Sequence, residues 1–206
     1  MLRLHGMARS NYFGMVCTAL HEKGLEFELV KQFPNQENEW LERSPMGKVP
    51  ALETEAGTLT ETQVILDYLE AIAPEPALLP THPFARAKVQ ELSRTAELYI
   101  DLVTRRLLPA VFFGAPMEAL TKDQVSGQLD RGIASAQRLA RFEPWIAGDT
   151  FSQADIVWHF SFGLSALIAD KVYGRDLYAE IPAAAAHRDA MEARASVQRV
   201  RTLSAS

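Results

Sequence analysis

With 206 residues, 48% of them hydrophobic and 23% charged, the chain can bury one large core or two modest ones, so a disordered chain is not expected. Its 21 basic and 26 acidic side chains give a formal charge of −5, which argues against a nucleic-acid role, and no apolar run approaches the roughly 20 residues of a membrane-spanning helix. Cys17 is the only cysteine, which excludes an intramolecular disulfide and a CxxC pair, and Met1 to His5 lacks the pattern of a secretory signal; a cytoplasmic setting is expected.

Taken in chain order, the first third alternates strand-like and helix-like segments. Leu2 to His5 reads as a strand ended by Gly6. Tyr12 to Lys23 carries apolar residues at helical spacing (Tyr12, Val16, Ala19, Leu20), with Gly24 as its cap. Phe27 to Val30 reads as a strand, and Asn38 to Arg43 as a short helix between Pro34 and Pro45. Val49 to Glu53 and Thr58 to Leu59 flank Gly57 as a hairpin would, and Val64 to Ile72 closes the unit with an apolar stripe. The order β-α-β-α-β-β-α predicts helices on both faces of a small mixed sheet.

Residues 75–83 hold Pro76, Pro80 and Pro83, just after Pro74, and are read as a stiff linker between a domain of residues 1–74 and one of residues 84–206. Beyond the linker the pattern is helical throughout. Val89, Leu92, Ala96, Tyr99, Val103 and Leu107 step along one long amphipathic helix that ends near Pro109. Val125 to Ala140 gives a second helix. Ser152 to about Ile168 gives a third, apolar on nearly every side, as a helix through the middle of a domain is. Ala183 to Ala195, entered through Pro182, gives a fourth. The fold class expected is therefore α/β followed by all-α.

Four stretches carry candidate chemistry. In the turn Gly6 to Tyr12, Ser10 sits where a helix begins, with Asn11 a second candidate for the same position; a serine there caps the helix or donates its hydroxyl to a bound thiolate. Ser44-Pro45-Met46-Gly47-Lys48-Val49-Pro50-Ala51-Leu52 reads on its own as a loop entering an edge strand. Thr60-Glu61-Thr62-Gln63 opens a helix, where backbone N–H groups suit a carboxylate. Ser152 to Asp155 has the spacing of a capping box and is read as structural.

The second stretch, in this order with the others, resembles the cis-proline motif of the cytosolic glutathione transferases, in the bacterial-type branches with serine at the catalytic position, and the likeness extends over nearly the whole chain. The resemblance implies a thioredoxin-like N-terminal domain (β-α-β-α-β-β-α) that holds glutathione as co-substrate, an all-helical C-terminal domain and a cis Val49–Pro50 peptide; the five histidines show no metal-ligand spacing, so no metal is expected. The resemblance assigns Ser10 to the thiol-activating position, with Asn11 and Tyr12 as alternatives for that role. Lys48 would face the glycine carboxylate of the tripeptide, Val49 with Pro50 its cysteine backbone, and Glu61 with Thr62 its γ-glutamyl end. Threonine at 62 is a mild departure, since serine is commoner there.

The implied reaction is attack by the glutathione thiolate on a hydrophobic electrophile, by conjugation or peroxide reduction. Serine rather than cysteine at position 10 argues against thiol-transfer chemistry. Isomerase, dehalogenase and non-catalytic binding roles are the alternatives, and Arg9-Ser10-Asn11 lacks the Ser-Ser-Cys run associated with the maleylacetoacetate isomerases. The acceptor pocket is expected between Arg9, Tyr12 and Phe13 on one side and Tyr99, Arg106, Phe112 and Phe113 on the other, although these aromatics suit a core or an interface equally well. A homodimer is expected, with Glu97 and Asp101 as candidates to reach across it. Cys17, inside the first helix, is read as a buried small hydrophobe.

Overall fold

A computed structural model describes residues 1–205 of the chain, which divides into two compact units: Met1–Leu78 together with the chain from Glu192 on, and Leu79–Met191. The sequence reading put all of 84–206 in the helical domain; the last helix instead belongs with the first unit. No helix among the described residues is long and apolar enough to cross a membrane.

The first unit follows the expected element order. Strands β1 (Leu2–Gly6), β2 (Phe27–Lys31), β3 (Ala51–Thr54) and β4 (Gly57–Leu59) form one sheet in the order β2-β1-β3-β4. β1 runs parallel to β2 and antiparallel to β3, and β3 is antiparallel to β4. The parallel pair needs a crossover, and α1 (Asn11–Glu22) supplies it. Because side chains alternate across a strand, the paired residues Leu4 and Leu52 share one face of the sheet and the pair His5 and Ala51 the other. Trp40, from the short α2 (Asn38–Leu41), is buried against Ala51, Val49 and the His5 ring on that second face.

Helix α3 (Thr62–Ile72) packs beside α1. Its apolar stripe is only partly inward: Ile65 and Leu69 are fully buried, whereas Val64 and Ile72 are about half exposed. The C-terminal ends of α1 and α3 are joined by Lys23, whose ammonium donates to the carbonyls of Ala73 (2.7 Å) and Pro76 (3.1 Å) and pairs with Glu70 (2.7 Å). Glu70 in turn accepts the backbone N–H of Leu78 at 3.1 Å, which fixes the chain leaving the unit.

The second unit is all-helical. The predicted long helix is interrupted: α4 (Pro83–Ala96) runs into a π-helical stretch at Glu97–Asp101, then α5 (Leu102–Arg105). Pro109 does not end a helix but lies in the first turn of a new one, α6 (Leu108–Phe112). Helix α7 (Ala119–Leu139) crosses the π-helical stretch closely: a Cβ at Gly132 would lie 2.1 Å from the Tyr99 carbonyl oxygen, so only glycine fits. Helix α8 (Gln153–Tyr173) is the predicted central helix, buried along most of its length.

The capping box that opens α8 does more than its motif suggests. Asp155 accepts the Ser152 N–H (2.8 Å), the Ile146 N–H (2.7 Å) and a bond with His187 Nε2 (2.9 Å). The short α9 (Leu177–Glu180) follows, then α10 (Pro182–Glu192), which brings His187. The final helix, α11 (Ala195–Ala205), packs on α1 within the first unit.

Candidate functional site

The sheet register decides which loops meet. β1 ends at Gly6, and the antiparallel pairing of His5 with Ala51 puts residues 50 and 49, which precede β3, beside residues 6 and 7. Leu52 pairs with Leu59, so the chain leaving β4 towards Glu61 passes the same end. Three of the four stretches picked from the sequence therefore come to one end of the sheet: the turn bearing Ser10, the loop bearing Lys48 to Pro50, and the start of α3. Met7 packs into the cluster of Trp40, Val49 and Ala51, which ties the first two together.

The turn before α1 is built tightly. A Cβ at Gly6 would lie 2.4 Å from the Phe13 ring, so the glycine lets that ring close over the strand end. The Ser10 N–H donates to the Met7 carbonyl at 2.9 Å. Ser10 is the N-cap and Asn11 the first helical residue, which resolves the choice between them for that position. The Ser10 oxygen accepts the Phe13 N–H at 3.3 Å, longer than the usual 2.9–3.0 Å. In accepting, the hydroxyl keeps its own O–H to donate. No acidic residue occupies the first turn of α1, so nothing there opposes a negative charge brought to the helix terminus.

The second loop is held by its own backbone. The Ser44 hydroxyl donates to the Lys48 carbonyl (2.8 Å), and the Gly47 N–H to the Ser44 carbonyl (2.7 Å). Gly47 has φ 65°, and a Cβ there would lie 2.1 Å from the Asn35 carbonyl oxygen. Val49–Pro50 is cis, as the motif predicts. The Val49 side chain is buried and Lys48 is exposed.

At the third stretch Glu61 has φ 66° and ψ 115°, a conformation that residues other than glycine adopt at a cost of order 1–3 kcal/mol. Its side chain is exposed and does not cap α3, and the first turn of that helix holds no acidic residue. The first N–H groups of an α-helix have no partner within the helix. A ligand carboxylate suits such a terminus, with Thr62, buried to 5% exposure, alongside.

Other predicted residues fall differently. Arg9 is exposed, and Asn11 and Tyr12 are half-buried. Phe13 is a correction: at 3% exposure, with its ring against Gly6, it is core and not the wall of an open pocket. In the second unit Tyr99, Phe112 and Phe113 are exposed, and Arg106 donates to Gln124 (2.8 Å) and Gln128 (3.2 Å) of α7. Asp101 cannot reach across an interface as expected, because it is fully buried and paired with Arg105 at 3.0 Å; the π-helical stretch turns it inward. Glu97 pairs with Arg94 at 3.0 Å.

Cys17 is fully buried, and burial pushes its thiol up to about 12, so it stays protonated and unreactive. Among the described residues no group of three His, Cys, Asp or Glu side chains is placed to hold a metal ion. Sequence reasoning missed Ser204, whose hydroxyl donates to the Ala8 carbonyl at 2.8 Å, inside the turn that carries Ser10. The spacing Val197-x-x-Val200, which sets the buried face of α11, was the available signal.

Residues 4–77 match the family model described as glutathione S-transferase, N-terminal domain. A glutathione S-transferase of Pseudomonas putida is 46% identical over 186 residues, covering 90% of this chain and 84% of that protein. A maleylacetoacetate isomerase of Pseudomonas aeruginosa is 26% identical over 163 residues, covering 75% of this chain and 77% of its own length. Among solved structures, a glutathione S-transferase of Methylobacterium radiotolerans in complex with glutathione sulfonate superposes with a TM-score of 0.81 at 28% identity, over 97% of this chain and 93% of that one.

Proposed function

Since the chain belongs to the glutathione S-transferase family, we propose that it binds glutathione at the sheet end described above and activates its thiol for attack on a hydrophobic, electrophilic small molecule. The observation that carries this reading is the convergence there of the Ser10 hydroxyl, at the start of α1, with the uncapped start of α3.

Each residue then has a distinct task. The γ-glutamyl carboxylate meets the first N–H groups of α3 and the Thr62 hydroxyl, and its ammonium meets Glu61. The cysteine backbone of the tripeptide pairs with Val49 as an added strand would, and Lys48 faces the glycine carboxylate. These contacts set the sulfur beside Ser10, whose O–H donates to the thiolate while the α1 terminus adds its positive end.

A free thiol titrates near 8.5, so lowering it by about two units makes the thiolate predominant at neutral pH, which takes roughly 2.7 kcal/mol. One hydrogen bond to a charged group, at about 1.5–3 kcal/mol, plus about 0.3–1 kcal/mol from the helix terminus is of that size. In conjugation the sulfur lone pair forms the new S–C bond and the electrophile's leaving group departs with its bonding pair. Arg9 and Tyr12 flank the sulfur on the acceptor side.

Calorimetric titration with reduced glutathione, run with a chlorodinitrobenzene conjugation assay, tests the proposal. Binding with turnover is expected. Failure to bind at millimolar glutathione would overturn it.

A further inference from the structure

Helix α11 lies antiparallel along α1, with its own contacts setting the direction. At its start, Arg194 forms a two-pronged pair with Glu22 (2.8 and 2.6 Å), and the Ser196 hydroxyl donates to the same carboxylate. Glu22 ends α1. Val197 and Val200, buried to 0% and 1% exposure, and Ser204 fall three and four residues apart, hence on one face of the helix. Ser204 is at the far end, where its hydroxyl meets Ala8, just before α1 begins. The ten residue steps from Arg194, just before α11, to Ser204 span about 15 Å, close to the roughly 18 Å of α1. The last helix is thus fastened at both ends of the first.

The two fastenings differ in what they can do. Arg194, Ser196, Val197 and Val200 already dock α11, so the fold does not depend on Ser204. The Ala8 carbonyl, however, belongs to the turn closed by the Ser10 N–H on Met7 at 2.9 Å. The peptide plane it fixes comes one residue before Ser10. The cap bond that would otherwise hold Ser10 is long at 3.3 Å, so the orientation of the turn rests on contacts of this kind. The Ser204 hydroxyl also lies 3.1 Å from its own helix's Val200 carbonyl, but the Ala8 contact at 2.8 Å is the shorter acceptor for its single proton.

We infer that Ser204 is a positioning residue for thiol activation: through Ala8 it sets the turn from which the Ser10 hydroxyl reaches the glutathione sulfur. This inference rests on the function proposed above.

The test uses the full chain with three substitutions. Ser204→Ala removes the contact, and Ser204→Thr keeps a hydroxyl. Thr202→Ala is the matched control, because the Thr202 hydroxyl bonds back to the Gln198 carbonyl at 3.0 Å on the exposed side of the same helix. The readouts are kcat and KM as a function of pH, and the pKa of enzyme-bound glutathione followed by thiolate ultraviolet absorbance. Ser204→Ala is expected to lower kcat/KM about fivefold near pH 5.5, below the bound-thiol pKa of either protein, and to raise that pKa by about 0.7, what the loss of one ordinary hydrogen bond amounts to. KM for glutathione, Ser204→Thr and Thr202→Ala should stay within about twofold of the parent, less than half of that expected loss.

A Ser204→Ala protein with the parent's bound-thiol pKa overturns the inference, even if its melting temperature falls. A parent protein that leaves the bound thiol at its free pKa overturns the functional reading itself, and the inference with it.

Discussion

Ser10→Ala separates the two jobs of one hydroxyl. As a cap, Ser10 accepts a single N–H at 3.3 Å, so its loss should cost near the low end of the range for N-caps, about 0.5 kcal/mol. In its proposed role as thiolate donor it would supply most of the roughly 2.7 kcal/mol of stabilisation, and the α1 terminus alone, at about 0.3–1 kcal/mol, would leave the bound thiol near 8. With the parent thiol near 6.5, about half of the bound glutathione is thiolate at pH 6.5, against about 3% in the variant. The deficit in kcat should thus be about fifteenfold at pH 6.5 and nearly vanish above pH 9. Ser10→Asp sharpens the test: aspartate is as good a cap as serine, but it places an anion beside the sulfur, so the protein should be as stable as the parent and still less active. Chlorodinitrobenzene conjugation across that pH range, with melting temperatures for all three proteins, is the assay. Full activity in Ser10→Ala, or a loss that does not change with pH, would refute the reasoning and move the role to Tyr12 or Asn11.

Glu61→Gly should raise stability by about 1 kcal/mol in urea unfolding, because glycine adopts φ 66° without strain, while glutathione binding weakens about tenfold or more through loss of the carboxylate proposed to meet the ligand ammonium. Lys23→Met leaves the Glu70 carboxylate buried without its cation and should cost about 3–5 kcal/mol, whereas pairing it with Glu70→Leu should recover much of that loss; equal costs in the single and double variants would contradict the account. The Glu22 carboxyl is held below the usual carboxylate range because hydrogen bonds from Arg194 and Ser196 and the Arg194 charge together outweigh its burial, the largest single influence, which acts the other way. A depressed folded pKa contributes stability that is present above the unfolded value near 4.5 and is lost as pH falls through the folded one. Glu22→Gln should therefore be less stable than the parent at pH 7 and converge on it in acid, read from melting temperatures between pH 7 and pH 3.

What could be read from the sequence was what neighbouring residues decide. The Ser10 cap, the Ser152–Asp155 box and the strand–turn–helix order of the first unit each rest on residues within a few positions of one another. The sequence failed where a distant partner decides. Apolar stepping from Val89 to Leu107 continues smoothly through the π-helical stretch, so nothing local announced that Asp101 would turn inward to Arg105. Pro109 was ambiguous in principle, since proline both ends helices and opens them. Phe13 looked like a pocket residue because its place beside Ser10 in the chain says nothing of the hollow over Gly6. The return of α11 to the first unit depends on Glu22 meeting Arg194, 172 positions away, and no spacing rule spans that distance.

The two ends of α1 and α3 differ in a way that bears on where the proposed site lies. The two helices bring their C-terminal ends together at Lys23, whose charge complements both helix dipoles and whose donors find the carbonyls of Ala73 and Pro76 and the Glu70 carboxylate. That end is closed in hydrogen bonding and charge. At the other end local rules are broken together: a long cap bond at Ser10, a strained Glu61 and a helix start without a side-chain cap. Sequences that otherwise agree with their fold depart from it where function demands. One such departure would be an accident of packing. Three gathered at one sheet end, opposite the junction at Lys23, suit the proposed binding of an anionic thiol and a carboxylate there.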